Sequence, residues 1–110
     1  MKRTVLTALL PFTYLGRDIR WGRSEECFGV DAFLNAVLVT AYAKGLQGDN
    51  PVFRKTVSLM KHFPANSNEN NRTYNSSDFD DRLFREYYSY PFYKGVVDGG
   101  SHRFTASYNK

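Results

Sequence analysis

Strand-length apolar runs alternate along this chain with segments of helical periodicity, and that alternation limits the fold more than any single residue does. Thr4 to Leu10 is a short run rich in leucine and β-branched residues, closed by Pro11, as expected of a buried strand. A polar loop from Tyr14 through Gly29 follows. From Asp31, a residue suited to an N-cap, Phe33, Leu34, Val37, Leu38, Ala41 and Tyr42 recur at helical steps, and Gly45 and Gly48 close the segment. Thr56 to Met60 is strand-like again. Ser77 or Asp78 can cap a second helix with Phe79, Leu83, Tyr87 and Tyr90 on one face, which Pro91 should kink or divide before Phe92, Val96 and Val97 lead to Gly99-Gly100. His102 to Ser107 alternates weakly as a third strand. Strand, helix, strand, helix, strand predicts an α/β fold of roughly three parallel strands joined by two right-handed crossover helices. At 110 residues and 42% hydrophobic, the chain can bury one modest core.

In parallel α/β folds the chemistry sits beyond the C-terminal ends of the strands, where the sheet fixes side chains and loops can vary. Arg23 follows the first strand, Lys61 and His62 the second, and Tyr108 the third, so these clusters are expected to converge. The run from Lys61 to Arg72 is the richest: two cations, His62, Glu69 and four asparagine amides directly after an apolar segment. Neutral and charged donors held on a rigid frame are what a polyhydroxylated ligand requires. Neighbouring residues on a regular strand face opposite ways, so Lys61 and His62 reach one pocket only if the pleat breaks there. The Phe63-Pro64 bond is a candidate cis peptide.

The remaining composition excludes more than it proposes. Net charge is +4, but Lys2-Arg3, Arg17 to Arg23, Lys44, Arg54-Lys55 and Arg82-Arg85 are interleaved with acids, and no basic block of a nucleic-acid module appears. Aromatic residues make up 16% of the chain, which serves a core as readily as a ligand. Cys27 stands alone, lacks a nearby basic histidine and reads as a packed thiol. With only His62 and His102 and no ligand spacing, no metal is expected. Lys2-Arg3 and the following apolar residues imitate a secretory signal poorly, because Pro11, Arg17 and Arg20 interrupt them and no small-residue cleavage site follows. The expectation is a cytoplasmic protein without a membrane span. The glycosylation-like triplets at Asn71 and Asn75 are read as chance.

Four ordered blocks resemble glycoside hydrolase family 3, the retaining β-glucosidase and β-xylosidase group. Arg17-Asp18-Ile19-Arg20-Trp21-Gly22-Arg23 is similar to the family's Arg-Asp-Pro-Arg-Trp-Gly-Arg segment, with Ile19 in place of proline. Lys61-His62-Phe63 through Glu69 and Arg72 is similar to its Lys-His-Phe loop. Asp81 to Glu86 with Pro91-Phe92 resembles the helix that follows, and Ser107-Tyr108-Asn109 the next strand end. The resemblance implies that residues 1–110 are part of the N-terminal (β/α)8 barrel domain, a partial TIM-type barrel, with Arg23, Lys61, His62, Arg72 and Tyr108 binding the sugar beside the scissile bond. Beside Lys61, His62 is read as a contact residue. Asp18, Arg20 and Glu69 are read as ion-pair partners that orient the cations, and contact and structural roles stay open for Arg72.

The same resemblance implies that the nucleophilic aspartate lies beyond Lys110, and that the acid/base and a further sugar-binding aspartate also lie outside the chain. No carboxylate here matches either catalytic position. The expected partner is a β-linked glucoside or xyloside, with no cofactor and with neither nucleic acid nor membrane. A barrel takes about 250 residues. Three strands alone would leave unpaired edges, through which the chain is expected to self-associate. A non-catalytic sugar-binding protein or an inert gene remnant is the alternative reading, and a nucleic-acid binder ranks below both.

Overall fold

The computed structural model describes residues 6–109 and has the expected α/β architecture, with three parallel strands in the order β1-β2-β3. Thr4 and Val5 of the anticipated first strand, and the Lys2-Arg3 pair, lie outside the described residues. Strand β1 is only Thr7–Ala8, but its alignment with β2 (Val57–Phe63) runs further, from Val57 N–H on Leu6 O to Thr13 N–H on Lys61 O. Pro11 does not stop this pairing. It has no N–H to contribute, yet its carbonyl accepts from Lys61 N–H at 3.3 Å, and Phe12 bridges Lys61 in parallel register. Strand β3 (Arg103–Ala106) flanks β2 on the other side, with Leu59 opposite Arg103 and Phe63 opposite Ala106. The register slips between Lys61 and Phe63, where the break in the pleat was expected. The Leu10-Pro11, Lys61-His62 and Phe63-Pro64 bonds are cis.

Helix α1 (Ala32–Gln47) starts on Asp31, whose carboxylate accepts from Leu34 N–H at 2.6 Å. It ends on Gly48, at φ +72°, whose N–H closes on Lys44 O. Its buried face is the reverse of the one its periodicity suggested. Asn35, Ala36, Val39, Ala43 and Gln47 are buried, whereas Phe33 is 67% and Val37 50% exposed, and Leu34, Leu38 and Tyr42 are exposed too. Close approach decides this: Thr40 Oγ1 of α1 reaches Lys94 O of helix α3 (Tyr90–Val97), and just past α3 Ala43 sits against Gly99, whose carbonyl accepts from Gln47 Nε2 at 2.9 Å. On the α3 side the contact falls at Gly95, where a Cβ would collide with Met60 Sδ and crowd Val39.

The second helical segment begins at Asp80, two or three residues after the expected cap at Ser77 or Asp78. A single turn, α2 (Asp81–Leu83), passes into a π-helical stretch, Phe84–Tyr88, before Ser89 and Pro91 open α3. Pro91 thus divides the helix, and Ser89 Oγ satisfies the Phe84 carbonyl at 2.7 Å. Val39, Met60 and Phe92 form the fully buried centre, with Phe28, Phe63 and Val96 packed around it. Along β2, Ser58, Met60 and His62 are buried on alternate positions. One face of the central strand therefore runs from the apolar core to the polar strand ends.

Candidate active-site fragment

The loop after β1 returns to the sheet at Phe12, Thr13 and Tyr14. Tyr14 is fully buried, wedged edge-on against Trp21 at 5.0 Å and stacked on the His62 imidazole at 5.5 Å. Its hydroxyl donates to Glu26 Oε2 at 2.8 Å. Glu26 is delivered by a short 3-10 turn, Ser24–Glu26, which Ser24 Oγ ties to the Trp21 and Asp18 carbonyls. The same Oε2 accepts from Arg23 Nε at 2.9 Å and Nη2 at 2.6 Å. Arg23 Nη1 then faces Glu69 Oε1 at 4.0 Å, and Glu69 Oε2 accepts from Arg72 Nη1 at 2.7 Å. The Arg72 guanidinium lies 4.3 Å above the Tyr108 ring, and Tyr108 approaches His62 at 6.1 Å between centroids.

These contacts close on themselves: Tyr14, Glu26, Arg23, Glu69, Arg72, Tyr108, His62 and back to Tyr14. Lys61 joins from the side, its ammonium 4.6 Å above the Phe12 ring, which Arg23 also approaches at 5.9 Å. The five sequence-predicted residues, Arg23, Lys61, His62, Arg72 and Tyr108, are therefore brought together at the C-terminal ends of β1, β2 and β3. Glu69 pairs with two of the cations, as anticipated. Asp18 and Arg20 do not orient the cluster; they pair with each other at 2.6 Å in solvent. Arg17 instead hydrogen-bonds the Tyr88 hydroxyl.

Phe12, Tyr14 and Glu26 were not anticipated. The spacing of Glu26 from Arg23, three residues, becomes informative only once the segment is known to turn in a 3-10 helix. Nothing local to Phe12 or Tyr14 announces that they sit under cations contributed by other segments.

Three cations and two carboxylates give the cluster a small positive excess. The hydrogen bond from Arg23, against an opposing effect of burial, holds the Glu26 carboxyl below the usual range, so it is a carboxylate at neutral pH. Burial first, then the charges of Arg23 and Lys61, lowers the His62 pKa and keeps the imidazole neutral. Its Nδ1 is buried without a partner among the described residues. A neutral imidazole beside an ammonium and two guanidinium groups offers donors and one acceptor, a set suited to hydroxyl groups. Cys27 is half-buried, and burial pushes its thiol up to about 11, which leaves it protonated and unreactive at neutral pH.

A polar cleft of about 590 Å³ meets this cluster at Glu69 and is otherwise lined by Asp18, Arg20 to Gly22, Ser67, Asn68 and Asn70, so none of Arg23, Lys61, His62, Arg72 and Tyr108 forms its wall. A second groove of about 480 Å³ lies away from the strand ends, between α1 and α3, with Phe33, Ala36, Val37 and Tyr90 in its wall. Its mostly apolar lining suits packing better than it suits a sugar.

Residues 4–109 match the glycosyl hydrolase family 3 N-terminal domain. The chain belongs to this family. It is 38% identical to the periplasmic β-glucosidase of Salmonella typhimurium over 83% of its own length, which is 12% of that enzyme. An exo-β-xylosidase solved with a xylobiose aziridine probe superposes with a TM-score of 0.85 at 32% identity, over 91% of this chain and 14% of that one. The β-glucosidase of Listeria innocua, solved with glucose, superposes at 0.82 and 29% identity, over 96% of this chain and 15% of that one. The chain thus spans only about an eighth of the length of the family members it matches.

Proposed function

We propose that this chain supplies part of the sugar-binding subsite of a retaining β-glycosidase that hydrolyses terminal β-linked glucosyl or xylosyl residues. The closed circuit of side chains at the strand ends carries this reading, because a pyranose needs several directed donors around one volume. Arg23, Lys61 and Arg72 would donate to sugar hydroxyls, charge-assisted bonds being the stronger kind. His62 would add a neutral donor or acceptor, and Tyr108, 55% exposed, an aromatic edge to the rim. The names of the relatives, a β-glucosidase and a xylosidase that carries a xylobiose-derived probe, support the same substrate class.

The chain alone is proposed to be inactive. A retaining glycosidase needs a nucleophilic carboxylate and a second, protonated carboxyl about 5 Å away. Glu26 is held ionised by Arg23 and saturated at one oxygen, which unfits it as an acid. Glu69 is engaged by Arg72, which donates to it at 2.7 Å. Titrating glucose or xylose into the protein and into Lys61→Ala tests the subsite: saturable binding that weakens in the variant supports it. Equal binding by both, or none by either, would leave an inert piece of barrel as the better description.

A further inference from the structure

We propose that Glu26 is a positioning residue that sets the orientation of the Arg23 guanidinium toward the sugar, an inference that rests on the sugar-binding reading above. Three donors converge on one oxygen of Glu26: the Tyr14 hydroxyl and Arg23 Nε and Nη2. Tyr14 is fully buried and gripped by the Trp21, His62 and Phe12 rings, so it is a fixed point of the fold. The carboxylate is therefore located by the core and in turn locates the guanidinium. Because the guanidinium is planar, engaging Nε and Nη2 fixes its plane.

The opposite edge of Arg23 stays open. Nη1 lies 4.0 Å from Glu69, beyond hydrogen-bond distance, so its N–H groups are aimed but unspent. A hydroxyl oxygen could take them without breaking the Glu26 contacts. Glu26 also offsets the charge of Arg23 where Lys61 stands nearby, since both cations face Phe12 and Lys61 also acts on Glu26. Without the carboxylate, two like charges would flank one ring and Arg23 would be free to swing into solvent.

Glu26→Gln is the test, since it keeps the shape and an acceptor for Tyr14 while removing the charge. In the native protein the Arg23 Nε–H should give a resolved, slowly exchanging NMR resonance, and in Glu26→Gln it should collapse into the exposed arginine signals. Glucose binding should weaken about tenfold, in the range by which outer partners of binding groups usually act. In an Arg23→Lys background the same change should cost less than about twofold, because the route through Arg23 is already cut. An unaltered Arg23 resonance in Glu26→Gln, or the same loss of binding in both backgrounds, would overturn the role. If the native protein takes up neither glucose nor xylose, the sugar reading fails, while the Nε resonance still decides whether Glu26 orients Arg23. Should Glu26→Gln fail to fold, Tyr14→Phe keeps the carboxylate and frees its anchor. Faster Arg23 Nε–H exchange then upholds the inference, and unchanged exchange defeats it.

Discussion

Replacing Tyr14 by phenylalanine isolates the hydrogen bond that ties the polar cluster to the core. The ring is fully buried and keeps its contacts with Trp21 and His62, so packing is conserved and only the 2.8 Å bond to Glu26 is lost. A hydrogen bond to an ionised acceptor contributes about 1.5–3 kcal/mol. Arg23 still donates twice to the same oxygen, so the carboxylate is not orphaned, and the lower end, about 1.5 kcal/mol, applies. With a urea dependence of about 1.5 kcal/mol/M for a small domain, the unfolding midpoint should fall by about 1 M. Trp21, the single tryptophan, is 6% exposed and adjacent to Tyr14, so its fluorescence reads the transition directly. Tyr108→Phe is the control: its ring is 55% exposed and its hydroxyl has no hydrogen-bond partner among the described residues, so a change below about 0.5 kcal/mol is expected. An unmoved midpoint in Tyr14→Phe would refute the coupling of cluster to core. A loss above about 3 kcal/mol, the size expected for deleting the whole ring, would refute the assumption that packing survives.

Other consequences follow from the same contacts. Met60 is fully buried among Val39, Phe92 and Gly95, so Met60→Ala should cost about 2–5 kcal/mol and Met60→Leu less than about 1.5, read by circular dichroism. Equal tolerance of both would contradict the assignment of the core. The folded pKa of His62 lies below its ordinary value of 6.5, so its contribution to stability is present above that pH and is lost as pH falls through the folded value. Urea midpoints from pH 7 to pH 5 should therefore decline, and His62→Gln should flatten the decline; an identical slope in the variant would refute it. Phe33, Leu34 and Val37 expose apolar surface on α1, so sedimentation should show association that grows with concentration and is relieved by Leu34→Glu with Val37→Glu. A monomer at all concentrations would count against this.

Much of the fold was legible because its signals are local. Asp31 and Gly48 bound α1 where an N-cap and a left-handed C-cap belong, Pro91 divides the second helix, and the pleat breaks near Lys61 as two neighbouring polar side chains required. The buried face of α1 was not legible. Periodicity marks the bulky apolar stripe, whereas the packing against α3 selects the small-residue stripe, a decision made by Gly95 some fifty residues away. The strand-end cluster was half legible for the same reason. Polar residues after apolar runs point to Arg23, Lys61, His62 and Tyr108, and the family resemblance adds Arg72, but Tyr14 and Phe12 join the cluster only through long-range ring contacts. Asp18 and Arg20 show the converse: two charges two residues apart satisfied each other before either could orient a neighbour.

The shared cradle at the strand ends is tested most directly by mapping NMR shifts of the arginine, lysine, histidine and tyrosine side chains during a glucose titration. Resonances of Arg23, Lys61, His62, Arg72 and Tyr108 should move together along one saturation curve, with those of Tyr90 and Lys94 in the α1–α3 groove unmoved. Saturable shifts confined to that groove, or strand-end residues that respond with unrelated midpoints, would contradict a common sugar site.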